Sequence, residues 1–158
     1  MKKQSIFLIF AIVLTSCTSL AGNTQSPSPS ATETTWNKYT NETVGFSVQY
    51  PPNWQQEDLP DENNGQLHHI ALKGPEGGVE LIWGTGLGGA CPEGYQPLAI
   101  TKGSISACHT QREDGTDLWS LAGQQIGNTD FSGFLYTNDT TSTSRAVVLK
   151  VISTLRFP

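Results

Sequence analysis

The sequence predicts a small domain dominated by antiparallel β-sheet, α+β in class once its closing segment is helical, and three observations lead there. First, Val44-Gly45-Phe46-Ser47-Val48-Gln49-Tyr50 alternates, with Phe46, Val48 and Tyr50 on one face and Ser47 and Gln49 on the other, as a half-buried strand requires. Second, short apolar runs recur between clusters of Gly, Pro, Asp and Asn, which is the punctuation of sheet rather than of helix. Third, the closing run Ser144 to Phe157 is open between two states. Its β-branched residues favour strand, whereas Val148, Ile152 and Leu155 fall at helical spacing and Ser142, Thr143 and Ser144 can supply an N-cap.

Taken in order, Pro51 and Pro52 end the first strand, and Glu57 to Gly65 reads as a polar surface loop. Leu67 to Lys73 and Val79 to Trp83 follow as strands around the turn Gly74 to Gly78, giving a meander. Further strands are expected at Leu98 to Thr101, Ser104 to His109, Asp117 to Leu121 and Phe131 to Thr137. Residues 36–158, about 120 in number, suffice for one core and not for two domains. No internal repeat is visible.

The start of the chain carries an address. Lys2 and Lys3 precede the apolar run Ile6 to Leu14, too short to span a bilayer and suited to a signal-peptide core, so residues 1–16 are expected to be removed. Directly after it stands Leu14-Thr15-Ser16-Cys17, which resembles a bacterial lipobox. That resemblance implies that Cys17 becomes diacylated and forms the new N-terminus. Two acyl chains give stable anchoring, since each buried CH₂ contributes about 0.8 kcal/mol and one chain alone is marginal. Residues 17–35 are rich in Ser, Thr and Pro and nearly free of apolar side chains, so they read as a disordered tether. The expected location is the cell membrane or outer membrane, with the domain held outside the cytoplasm.

The chain has nine Lys and Arg against fourteen Asp and Glu, a formal net charge of -5, and loss of the leader removes two more positive charges. On that balance it has no electrostatic reason to seek nucleic acid or anionic headgroups. With Cys17 assigned to lipid, Cys91 and Cys108 are expected to form a disulfide in an oxidising compartment. In the chain-entropy picture such a loop stabilises the fold by about 3 kcal/mol. A metal or redox pair with His109 is the alternative, but neither a CxxC spacing nor a second Cys/His cluster is present.

The opening segment WNKYTNETVGFSVQYPPNW, with its GFSVQYP centre and Trp54, and the closing VLKVISTLRF together resemble the pattern of PsbP-like, or Mog1/PsbP-like, small lipoproteins. The resemblance implies an antiparallel sheet flanked by one or two helices, a strand pair ending at a proline, a closing helix, and a binding or assembly role without catalysis. It covers about thirty residues at the two ends. The middle, including WGTGLGGACPEGY and its disulfide partner Cys108, has no counterpart in the plant photosystem relatives, which counts against a photosynthetic role.

Several constellations bear on chemistry. Gly84-Thr85-Gly86-Leu87-Gly88-Gly89 matches GxGxxG after an expected strand, yet Cys91, Pro92 and Gly94 break the helix that a dinucleotide fingerprint needs. A glycine-rich loop tied down by the disulfide is favoured. Beside Trp83 it can shape a recognition surface, so the expected ligand-binding residues are Trp83, Gly84, Gly86, Gly88, Gly89 and Tyr95. His68 and His69 are adjacent on a strand and point to opposite faces, so they do not share a metal ion. Glu57-Asp58, Asp61-Glu62 and Glu113-Asp114 with Asp117 lack EF-hand spacing and read as solvated turns. Ser104 lacks the second glycine and helix of a nucleophile elbow. Trp36, Trp54, Trp83 and Trp119 are explained mostly by core packing, and Asn41 and Asn138, which open NxT sequons, read as turn residues.

The expectation is therefore a lipid-anchored, non-catalytic binding or assembly module, with no catalytic residue, cofactor or metal and an envelope protein or glycan as partner. Two alternatives remain. One is a carbohydrate- or small-ligand-binding lipoprotein using the glycine-rich loop and Trp83. The other is a small metal-dependent hydrolase, which requires His68, His109 and a carboxylate to converge.

Overall fold

Two antiparallel meanders lie side by side in one seven-stranded sheet. The computed structural model describes residues 35–158; the expected signal peptide, the expected acylation at Cys17 and all but the last residue of the expected tether lie outside the described residues. Within them, β1 (Asn37–Asn41) and β2 (Phe46–Tyr50) form a separate two-stranded ribbon that ends at Pro51. The first meander is β3 (Gln55–Glu62), β4 (Leu67–Gly74) and β5 (Gly77–Gly84). The second is β6 (Gln96–Ile100), β7 (Gly103–Gln111), β8 (Asp117–Ile126) and β9 (Thr129–Thr137), and α1 (Ser142–Ser153) closes the fold. The strand order is β3-β4-β5-β9-β8-β7-β6, every neighbouring pair antiparallel. The fold class is thus α+β, a sheet with one flanking helix.

One face of the sheet is apolar, as the period-two pattern demands. Leu72, Val79, Leu135 and Trp119 form a register row on it, and Ile70, Leu81, Ile105, Leu121 and Phe131 extend it, all buried. Helix α1 lays Val148, Val151 and Ile152 on that face, with Leu155 just beyond its last turn, while the ribbon contributes Phe46, Val48 and Tyr50. Each such side chain contributes roughly 1.5–3 kcal/mol by leaving water, so this two-layer contact dominates the stability. The closing segment is therefore helix, decided by the need to cover the sheet. Its N-cap is Thr141, whose hydroxyl accepts from the Ser144 amide at 3.2 Å, and not one of the three residues after it.

Two segments, β3 and the end of β8, differ from the sequence reading. Glu57 to Gly65 is mostly strand: β3 runs through Glu62, and only Asn63–Gly65 forms a 3₁₀ turn. Its single partly buried apolar residue is Leu59, so no alternation betrays it. It is the sheet's edge, held by backbone pairing to β4, and its row of carboxylates together with Pro60 at a register shift guards that edge against a further strand. Strand β1, the first of the strand pair, carries one inward aromatic, Tyr39, packed 5.8 Å from Phe46. Strand β8 runs five residues past Leu121 through a bulge.

The disulfide between Cys91 and Cys108 is formed, with Cα atoms 5.5 Å apart. Trp54 and Trp119 are buried, whereas Trp36 and Trp83 are half-buried against the core. Trp54 donates from Nε1 to Glu76 at 2.8 Å and fills the space beside Gly74, where a Cβ would stand 2.0 Å from its ring. Gly74→Ala is expected to lower stability by about 1–3 kcal/mol through overpacking. A lower urea midpoint with an unchanged slope would be the result, and an unchanged midpoint would refute this account of the glycine.

Candidate functional site

The longest connection in the described residues, 85–95, is where the sequence placed a binding surface. It must carry the chain from β5 past β9, β8 and β7 to β6, about four strand spacings of 4.8 Å. It is held at three points. The Gly86 amide donates to Asp130 Oδ2 at 2.8 Å, Leu87 lies against Gly123, and Cys91 is bonded to Cys108. Register places Asp130 and Cys108 on the sheet face opposite α1, so the loop crosses that face. Gly86 has φ +79°, which suits glycine, and Tyr95, 41% exposed, donates its hydroxyl to the Gly89 carbonyl.

The six expected ligand residues do not stand together. Trp83 and Gly84 line a recess of about 370 Å³ at the end of the sheet, whereas Gly86, Gly88, Gly89 and Tyr95 are carried away with the crossing loop. The recess is completed by residues the sequence reading missed: Thr43 and Val44 from the β1–β2 turn, Asn128 from the β8–β9 turn, and Thr129 at the start of β9. These four also wall a neighbouring recess of about 680 Å³ bounded by Ile126 and Phe157. Only the tertiary fold joins turns more than eighty residues apart, and their sole sequence signal is tight-turn chemistry. Asn41 caps the first turn by accepting the Val44 amide at 2.9 Å, and Asn138 donates to the Gly74 and Pro75 carbonyls, so both asparagines are turn residues.

Aromatic contacts fix the inner wall. Trp83 stacks on His68 at 5.8 Å and meets the edge of Phe46 at 5.4 Å, and His68 Nδ1 lies 2.8 Å from Asp61. Asn41, Thr43, Thr85, Asn128 and Thr129 supply amides and hydroxyls around this indole–imidazole pair. Gly84 has a backbone reason for its identity: φ is +153° and a Cβ there would meet the Gln66 carbonyl at 1.9 Å.

The histidines separate as their parity requires. His69 lies on the far face, its side chain only 9% exposed, with Nδ1 3.3 Å from Glu80 and Nε2 3.9 Å from Glu62. His68 and His109 sit on β4 and β7 with three strands between, so the convergence needed by a metal-dependent hydrolase is not formed, and no cluster of three metal-ligating side chains occurs among the described residues.

His109 joins a different group. Its Nε2 lies 2.6 Å from Asp117 Oδ1, Arg145 reaches the same oxygen at 3.4 Å, and the His109 ring stacks on Trp119 at 5.0 Å. Arg145 also lies over the Trp119 ring at 5.5 Å. Asp117 is therefore buried and paired, not a solvated turn residue. Through it the β7–β8 hairpin is tied to the first turn of α1. Asp114 and Asp139 do keep to turns, each accepting from the amide and hydroxyl of the threonine two residues on, with Ser144 adding a third donor to Asp139.

No protein-family model matches the chain, and no curated protein matches it. A crystal structure of a protein from Bacteroides thetaiotaomicron is similar over 77% of this chain and 48% of that one, at 17% identity and a TM-score of 0.43. The chain thus spans about half the length of that protein, and at this level of likeness neither function nor site is carried over.

Asp117→Asn is expected to cost about 1–3 kcal/mol in denaturant unfolding, because it weakens the charge-assisted contacts of both His109 and Arg145; a cost below 0.5 kcal/mol would refute the pairing. Hydrogen bonds from Thr141 and Ser144 hold the Asp139 carboxyl below its ordinary 3.8, so its contribution to stability is present above that value and lost as pH falls through the depressed native one. The stability difference between the wild type and Asp139→Asn should accordingly stay level above about pH 5 and shrink as pH falls below 3.8, and a difference that grows on acidification would contradict it.

Proposed function

We propose that the chain is a lipid-anchored, extracytoplasmic binding module of the PsbP-like type that performs no reaction itself. The observation that carries this is the cleft formed by the two recesses at one end of the sheet, walled by turns and lined by hydroxyls and amides around Trp83 and His68. Such a wall suits recognition, since it offers hydrogen bonds and one flat apolar surface. The strand pair ending at Pro51 and the closing helix support the PsbP-like assignment, and the disulfide supports an oxidising compartment. No described helix is long and apolar enough to cross a membrane, and attachment in this reading comes from the acylated Cys17. Mass spectrometry of the native protein is expected to find Cys17 as an acylated N-terminus. An unacylated Cys17 with residues 1–16 still attached would overturn the anchoring.

A second reading gives the ligand a class. Trp83 with Thr43, Thr85, Asn128 and Thr129 is the mixture a carbohydrate needs, an aromatic ring for the apolar face of a sugar and neutral donors and acceptors for its hydroxyls. Binding on a glycan array should fall about tenfold or more in Trp83→Ala, the loss of one stacked ring. Because Trp83 also packs on Phe46, Asn128→Ala serves as a second variant with no core contact to lose. Binding unchanged in both would remove the cleft from consideration.

A further inference from the structure

Net charge conceals a local asymmetry. Lys38 from β1, Lys150 from the last turn of α1 and Arg156 beyond it line one recess of about 240 Å³ together with Thr101, Ser153 and other neutral polar residues, and no carboxylate lines it. None of these three cations has a carboxylate within 4.0 Å among the described residues, whereas Lys73 is bonded to Glu57 and Arg145 to Asp117. Three uncompensated charges in one recess repel one another, and the arrangement gains only when an anion enters.

The fold builds this recess deliberately from backbone. Ser47 and Arg156 exchange both their amide–carbonyl bonds, at 3.0 and 2.8 Å, and the Thr101 amide donates to the Leu155 carbonyl at 3.2 Å. Lys38 is placed opposite Gln49 in the ribbon register, on the side away from Tyr39 and the core. The C-terminal end of α1 would by itself disfavour an anion. Here its carbonyls are occupied: Ser153 Oγ donates to Lys150 O, Thr154 Oγ1 to Val151 O, the Leu155 amide to Ile152 O and Thr101 Oγ1 to Ser153 O. Three full positive charges outweigh the roughly half charge that remains at such an end.

Next to the charged recess runs an open apolar groove formed by Trp36, Ala146 and Val147, and Lys150 borders both. A half-buried indole beside aliphatic side chains, rimmed by lysine, is the composition of an interfacial surface, where the ring sits at headgroup depth and lysines reach phosphate. Trp36 is also where the tether expected over residues 17–35 enters the domain.

We propose that this face, Trp36 and Val147 with Lys38, Lys150 and Arg156, docks the domain directly on the surface of an anionic phospholipid bilayer, the recess taking the headgroup phosphate. The proposal deepens the lipid-anchored reading and rests on it for the direction from which the bilayer approaches. The anchor supplies attachment; this face supplies orientation, turning the Trp36 side toward the membrane. Three cations at an anionic surface strengthen attachment by about a hundredfold at low salt.

The test uses the lipidated protein purified from its membrane, mixed with phosphatidylglycerol vesicles, with phosphatidylcholine vesicles, or with inorganic phosphate alone. Flotation is measured together with the amine-labelling rate of each lysine. Expected is protection of Lys38 and Lys150 by phosphatidylglycerol only, abolished when salt is raised from about 0.15 M to 1 M, with Lys73 unchanged throughout. Lys38→Gln with Arg156→Gln, checked for folding by circular dichroism, should still float and lose protection of Lys150. Flotation with both vesicle types upholds the anchor and leaves the labelling to judge the face. Flotation with phosphatidylglycerol alone supports the face and overturns the anchor. Equal labelling in all three mixtures, protection by phosphate alone, protection that survives the double variant, or flotation with neither vesicle overturns the proposal.

Discussion

A sheet with one apolar face cannot stand in water uncovered, and everything else in this structure follows from how that face is closed. Val148, Val151, Ile152 and Leu155 from the C-terminal end, and Phe46, Val48 and Tyr50 from the N-terminal end, are brought onto the same row of Leu72, Val79, Leu135 and Trp119. The two covering elements lie about a hundred residues apart in sequence and are joined by the exchange of backbone bonds between Ser47 and Arg156. The closing helix is therefore a condition of the core.

The same closure creates both surfaces of interest. Bringing the β1–β2 turn over the end of the sheet sets Thr43 and Val44 beside Asn128 and Thr129, which walls the Trp83 cleft. Bringing the end of α1 beside the ribbon sets Lys150 and Arg156 beside Lys38. The cleft is neutral and aromatic, the recess cationic and rimmed by an apolar groove. One suits a polar ligand with a flat apolar face, the other a phosphate at a surface, so the two can be occupied together.

The glycine-rich segment has a topological explanation that its motif disguised. Two meanders joined edge to edge at β5 and β9 leave their connecting ends far apart, and the chain must cross the outer sheet face to begin the second. Glycine at position 86 permits the left-handed turn that lets its amide reach Asp130, and the disulfide fastens the far end. A loop so fixed adds little flexibility, and its resemblance to a nucleotide-binding fingerprint reflects only the frequency of glycine in a tight crossing.

The sequence by itself determined what is local: the alternation of β2, the hairpin around Gly74 to Gly78, the opposite parity of His68 and His69, and the pairing of Cys91 with Cys108. Side-chain period and turn chemistry are properties of neighbouring residues, so they are legible without a fold. Tertiary structure alone decided that the closing run is helix, that the carboxylate-rich segment after Trp54 is an edge strand, that Asp117 is buried against His109 and Arg145, and that three scattered cations share one recess. Each of these depends on which residues meet across many tens of positions. Burial and charge proximity are set by contact in space, and a count of charges along the chain averages them away.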